Sequence, residues 1–135
     1  MNKFKVVDKI ENDKVMMRDA MSGCFYDFVN TRPEVIYLDA DLVGAIGMSV
    51  FAKDHPEKVI DCGIQEANMI GVAGGLSAMG FVPFTHTFGA FAARRVADQV
   101  FLSVAYAGNI VKMIGSDPGI TAATNGGTHT AFEDV

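Results

Sequence analysis

The sequence predicts an α/β fold: a mostly parallel sheet with helices on both faces, in three α/β/α layers. Two observations carry this. Short apolar runs alternate along the chain with longer segments of helical period, the signature of strand–helix–strand units. One of those runs, Val35-Ile36-Tyr37-Leu38, is apolar at every position, as a strand buried on both faces requires.

The elements follow in order. Val15 to Val29 reads as a helix, with Met17, Ala20, Met21, Cys24 and Phe28 on one face, a cap at Asn12 or Asp13, and Pro33 as its stop. The first strand is the apolar run 35–38, and a short helix is expected near Ser49 to Lys53. Lys58-Val59-Ile60 is a brief second strand, followed by a helix from about Gln65 to Met79. Phe81 to Phe84 is extended, Phe91 to Ala107 is helical with Gly108 as its C-terminal cap, and Ile110 to Ile114 is the last strand. The domain is expected over 13–135, after an N-terminal extension of residues 1–12. A further helix beginning near Ala131 suggests a domain incomplete at its C-terminus.

Parallel sheets bind ligands beyond the carboxyl ends of their strands. The loops of interest are therefore Asp39-Ala40-Asp41, Cys62 to Glu66, Thr85 to Phe91 and Ser116 to His129.

Composition excludes several classes. The 135 residues are 50% hydrophobic, too apolar for a disordered chain and enough for a real core. A net charge of −5 without a basic run argues against nucleic acid as the partner. No stretch approaches the roughly 20 apolar residues of a membrane span, and the first residues lack the apolar run of a signal peptide. Cys24 and Cys62 stand alone and read as buried thiols of a cytoplasmic protein, with no metal site.

The helix after the second strand carries two patterns. Met69, Val72, Ala73 and Leu76 make a core stripe, while Gly71, Gly74, Gly75 and Ala78 repeat on another face. An interior Gly costs about 0.5–1 kcal/mol relative to Ala, so this face implies close approach of another helix, most simply from a second subunit. An internal contact is the alternative. Glu66, in the first turn, gains from the helix dipole whatever else it does. Arg94 and Asp98 are spaced as a helical ion pair. His55 reads as a surface residue, and His86 has no assignment.

Four motifs now stand in order, each at a strand end: Asp39-Ala40-Asp41-Leu42, Gly63-Ile64-Gln65-Glu66-Ala67-Asn68-Met69, Thr87-Phe88-Gly89-Ala90-Phe91 and Gly126-Gly127-Thr128-His129. Together they resemble the pyrimidine-binding (Pyr) domain of transketolases, and most closely the C-terminal section of split transketolases. The likeness runs from about Arg18 to the last residue. It implies the thiamine diphosphate-binding fold and two-carbon ketol transfer in sugar metabolism, such as the pentose phosphate pathway.

The resemblance assigns roles. Glu66 matches the Glu of the family's GIxE motif, whose carboxyl hydrogen-bonds N1′ of the cofactor's aminopyrimidine and so makes the 4′-amino group a base. Such acid–base help is commonly worth roughly 10²–10⁴ in rate, and it implies a buried, desolvated carboxyl. Phe88 and Phe91 match aromatic residues that pack on the aminopyrimidine, Asp41 the acidic residue near the cofactor and the subunit interface, and Ile64 a pocket-lining aliphatic. His129 matches a His facing the sugar, and Arg18 an Arg at the substrate's phosphate end. Two positions depart from the pattern: Asp117 stands where the family usually has His, and Asn125 where it often has Asp. An anion at 117 repels a phosphate, which implies a substrate that is unphosphorylated or differently placed.

The family's GDG…N motif, which holds the diphosphate through Mg²⁺ or Ca²⁺, has no match here. The resemblance therefore implies a partner, the N-terminal section of a split transketolase, that supplies diphosphate and metal binding. The alternatives are the β subunit of a 2-oxoacid dehydrogenase, which the 126–129 loop disfavours, 1-deoxyxylulose-5-phosphate synthase, and a non-catalytic dimerisation module.

Overall fold

A computed structural model describes residues 10–133. Residues 1–9 of the expected extension and the last two residues of the expected C-terminal helix lie outside the described residues. The elements are α1 (Met17–Thr31), β1 (Val35–Asp39), α2 (Ser49–Asp54), β2 (Val59–Asp61), α3 (Glu66–Ala78), β3 (Val82–Phe88), a mixed helical segment over 91–106, and β4 (Lys112–Ser116). The four strands form one sheet in the order β2-β1-β3-β4, with every pairing parallel.

Strand side chains alternate between faces, and β1 shows why its apolar run has no polar side. Val35 and Tyr37 enter one cluster with Phe25 of α1 and Phe51 of α2. Ile36 and Leu38 enter another with Met69 and Ala73 of α3. The first cluster is largely aromatic: Phe25 makes edge contacts to Tyr37 and Phe84, each with ring centroids 5.2 Å apart.

Several elements differ from the sequence reading. The buried stripe of α1 is Met21, Phe25, Phe28 and Val29, whereas Met17 is 90% exposed and Cys24 is exposed rather than buried. The stripe is rotated so that Phe25 takes the sheet-facing position, packed with Val35 and Tyr37 of β1. Met16, not Asn12 or Asp13, precedes the first helical turn; Asp13 Oδ1 instead accepts the Val15 N–H at 3.2 Å. β3 runs on through Thr85-His86-Thr87 to Phe88, because those three polar residues sit in the sheet with their side chains buried. The 91–106 segment is helical as expected but wound mainly as π-helix, over Phe91–Arg95 and Val100–Tyr106, with a short α-turn at Ala97–Gln99. His55 is half-buried against the Tyr26 and Phe51 rings. Near the end, Ala131 forms a bridge to Gly119, and 131–133 are not helical.

The glycine face of α3 divides. Gly74 packs internally: a Cβ there would lie 3.0 Å from the Ser103 carbonyl oxygen. Gly71 and Gly75 have open space around them, and both are exposed, as is Ala78. The close approach predicted for Gly74 is real, but its neighbour is the chain's own helical segment.

Candidate active site

The carboxyl ends of the four strands gather the predicted residues along one edge. Two non-glycine residues there hold left-handed backbone, Asp41 at φ 64° and Asp117 at φ 52°. Asp tolerates this conformation better than most residues, and such outliers persist where the surroundings hold them. Asp41 is held by Asp61, whose Oδ1 accepts the N–H groups of both Asp41 (3.0 Å) and Gly63 (2.9 Å). One carboxylate thus fastens the loop after β1 to the turn leading into α3.

Glu66 opens α3 and is 4% exposed. Arg95 Nη1 donates a 2.6 Å hydrogen bond to its Oε1. The same guanidinium lies over Phe91, 3.7 Å from the ring centroid, a close cation–π contact. Phe91 and Phe88 each meet the His129 ring edge-on, at 5.0 and 5.4 Å between centroids. The burial expected of Glu66 is present, but its partner is a cation rather than an all-apolar wall. Glu66, Phe88, Phe91 and His129 therefore belong to one cluster, joined by Arg95.

His129 is positioned by its loop. Arg94 donates to the carbonyls of Thr128 (2.9 Å) and Thr130 (3.1 Å) and to Glu133 Oε1 (3.1 Å), so it grips the chain on both sides of the histidine. It makes no ion pair with Asp98, contrary to its helical spacing; the carbonyls and Glu133 engage it instead. Backbone and Arg94 hydrogen bonds hold the Glu133 carboxyl below the usual carboxylate range. Thr128 Oγ1 lies 2.9 Å from His129 Nδ1. Ile64 is 70% exposed, so it does not pack as a buried lining residue. Asn125 is exposed in the 3₁₀ turn Ala123–Asn125 and reaches the His129 loop through its carbonyl, which accepts from Thr128 Oγ1 at 3.4 Å.

A second group lies on the α1 side of the sheet. Tyr37, Asp39 and His86 are fully buried. Tyr37 donates to Asp39 Oδ2 at 2.6 Å, His86 Nδ1 approaches the same oxygen at 2.8 Å, and Leu42 N–H donates to Asp39 Oδ1. His86 Nε2 lies 3.0 Å from Ser116 Oγ at the end of β4. Burial and the Asp39 charge push the Tyr37 hydroxyl far up, so it remains a donor. Ser116 lines a cavity of about 920 Å³ together with Arg18, Ile46, Asp117 and Thr121. Arg18 and Asp117, both expected at the substrate, are thereby brought to one cavity; Asn125 does not line it.

Sequence reasoning missed Arg95, Asp61, Ser116 and the role of His86. The signal for His86 was present: a histidine at a sheet-facing position of a buried strand needs partners for both ring nitrogens. Thr87 Oγ1, next to Phe88, is buried without a hydrogen-bond partner. Among the described residues no three His, Cys, Asp or Glu side chains converge to hold a metal ion, and no helix is long and apolar enough to cross a membrane.

A parallel α/β sheet with a buried carboxylate, a cation-bearing aromatic shelf and a cavity along its carboxyl edge has the layout of a ligand-binding α/β domain. The family described as "Transketolase, pyrimidine binding domain" matches residues 13–135, and the chain belongs to that family. It is 52% identical over 127 residues to the 6-deoxy-6-sulfo-D-fructose transketolase subunit SqwH of Clostridium sp. (strain MSTE9), covering 94% of this chain and 39% of that protein. It is 32% identical over 124 residues to the transketolase of Homo sapiens, covering 91% of this chain and 20% of that one. A solved split-gene transketolase, described as an inactive β4 tetramer, superposes with a TM-score of 0.73 at 37% identity over 87% of this chain and 37% of its own. The chain thus spans less than two fifths of the length of these relatives, and about one fifth of the human enzyme.

Proposed function

We propose that this chain is the aminopyrimidine-binding part of a thiamine diphosphate-dependent ketol-transferring enzyme, acting with an N-terminal partner section that holds the diphosphate and its Mg²⁺ or Ca²⁺. The observation that carries this is the Glu66–Arg95–Phe91 arrangement. A flat cation over Phe91, hydrogen-bonded to a buried carboxylate, presents what a protonated aminopyrimidine would present, so the residues fit that ring. In this reading Glu66 would hydrogen-bond N1′ of the ring and Phe88 and Phe91 would pack on it, with Arg95 displaced from its present contacts. When bound, thiamine diphosphate supplies the nucleophilic carbon that carries the two-carbon unit. His129, gripped through Arg94, faces the sugar hydroxyls and can exchange a proton with them. Asp41, whose loop is held by Asp61, borders the cofactor, and Asn125 offers a neutral donor and acceptor to the sugar.

The cavity between Arg18 and Asp117 receives the anionic end of the sugar. A phosphate monoester carries roughly 1.5–2 negative charges at neutral pH, and a sulfonate carries one. Asp117 therefore penalises a phosphate more than a sulfonate. Together with the sulfo-sugar named for the 52%-identical relative, this favours a 6-deoxy-6-sulfo-ketose as donor. Self-association through the α3 face of Gly71, Gly75 and Ala78 is part of the proposal; Gly74 is not.

The test is reconstitution of the full-length polypeptide with its partner section, thiamine diphosphate and Mg²⁺. Glu66→Gln should abolish or severely slow exchange of the cofactor's C2 proton, and cofactor binding should free Arg95, read as faster exchange of its guanidinium N–H. An unchanged C2 exchange rate would reduce Glu66 to a helix-start carboxylate.

A further inference from the structure

The Tyr37–Asp39–His86–Ser116 chain shares no residue with the Glu66–Arg95–Phe91 cluster, and its geometry fixes a proton. Asp39 receives the Leu42 N–H on one oxygen and the Tyr37 hydroxyl on the other. A carboxylate only accepts, so the proton in the 2.8 Å contact with His86 belongs to Nδ1. In the neutral ring the other nitrogen, Nε2, is then an acceptor. Its partner at 3.0 Å is Ser116 Oγ, whose own proton must lie in that bond.

The consequence appears at the cavity wall. With its proton turned inward, Ser116 has lone pairs left and no donor to offer a ligand. Its neighbour Asp117 is likewise an acceptor when ionised, while Arg18 on the same cavity is only a donor. Arg18 comes to this space from α1, whereas Ser116 and Asp117 come from the end of β4.

We propose that Ser116 is a specificity-determining residue, held as a hydrogen-bond acceptor by the buried Tyr37–Asp39–His86 relay and reading a hydroxyl of the sugar whose anionic end faces Arg18. The inference rests on the ketol-transfer reading for its substrate class, but the orientation of Ser116 does not. Asp39 and His86 are positioning residues; neither touches substrate. A hydroxyl ligand has a proton to give and satisfies Ser116, whereas a deoxy carbon leaves the acceptor desolvated and unpaired.

Two measurements test this. The first is nitrogen NMR of His86 in the full-length protein. It should show Nδ1 protonated and Nε2 bare, with the Nε2 resonance moving when Ser116→Ala removes its donor. Protonation of Nε2, alone or with Nδ1, would overturn the assignment. The second is calorimetric binding, in the reconstituted enzyme, of one hexulose and a series of analogues each lacking a single hydroxyl. Ser116→Ala should weaken the parent sugar about tenfold and leave one deoxy analogue unchanged. His86→Gln should act in the same direction, and the conservative Ser116→Thr should restore discrimination. Equal weakening of every analogue, or of none, would overturn the proposal. Because binding and NMR are read without turnover, absence of ketol transfer would count against the proposed function and not against the role of Ser116.

Discussion

Arg95 and Glu66 form an asymmetric pair: the guanidinium side chain is 45% exposed and the carboxylate 4%, joined by a 2.6 Å hydrogen bond. The two partners should therefore respond differently to removal. Arg95→Ala strands a buried charge and should destabilise the fold by roughly 1–3 kcal/mol, less than a fully buried pair because nearly half of the arginine is solvated. Glu66→Gln keeps an oxygen acceptor and should cost about 1 kcal/mol or less. Urea denaturation of both variants measures the difference, and equal losses would contradict the asymmetry.

The glycines of α3 should separate in the same assay. A Cβ at 74 would meet the Ser103 carbonyl oxygen at 3.0 Å, so Gly74→Ala should cost roughly 1–3 kcal/mol. Gly71→Ala and Gly75→Ala meet nothing and should stabilise the helix by about 0.4–1 kcal/mol. If the open face mediates self-association, Gly75→Leu should lower the sedimenting mass without unfolding the chain.

Asp117 should set the preference between anionic sugars. In the reconstituted enzyme we expect kcat/KM for 6-deoxy-6-sulfofructose to exceed that for fructose 6-phosphate by about tenfold or more. Asp117→His should narrow or reverse that ratio. A wild type that prefers the phosphate, and gains nothing from His, would show that Asp117 does not select the anion.

The two thiols should label at different rates. Cys24 is exposed, whereas Cys62 is half-buried and its thiol is pushed up by burial and then by the Asp61 and Asp39 charges. The thiolate is the reacting form, so at pH 7–8 iodoacetamide should modify Cys24 first. Cys62 should catch up only as the pH rises past its raised titration point or as the chain unfolds. Mass spectrometry of a timed reaction reads both.

Residues that declare themselves through local pattern were legible. The apolar run of β1, the stripe on α3 and the strand-end position of Glu66 follow from period and burial alone, and motif order linked Phe88, Phe91 and His129 before any geometry was known. Residues whose meaning depends on a partner far along the chain were not. Arg95 and Glu66 are 29 positions apart, Asp39 and His86 are 47 apart, and Arg94 spans 34 to Thr128. Arg94 illustrates the cause: its spacing to Asp98 suits a helical pair, but the carbonyls of a distant loop compete better for a five-donor guanidinium. The π-winding of 91–106 has no marker in the hydrophobic pattern, and the buried face of α1 is out of phase with its pattern because the exposed methionines look like core.

Gly89 and Gly115 touch backbone to backbone: a Cβ on Gly115 would lie 3.0 Å from the Gly89 Cα, and one on Gly89 would lie 3.2 Å from the Ser116 carbonyl oxygen. The first glycine directly follows Phe88 and the second directly precedes Ser116. Any other residue at either place would wedge the aromatic shelf away from the serine wall by a few tenths of an ångström, and rigid neighbours on both sides leave little room to absorb it. These two positions are thus the hinge pin of the edge. Changes of side chain at Asn125 or Asp117 add no atom to this contact, so the spacing between the two halves of the edge stays set by the glycine pair whatever those positions carry.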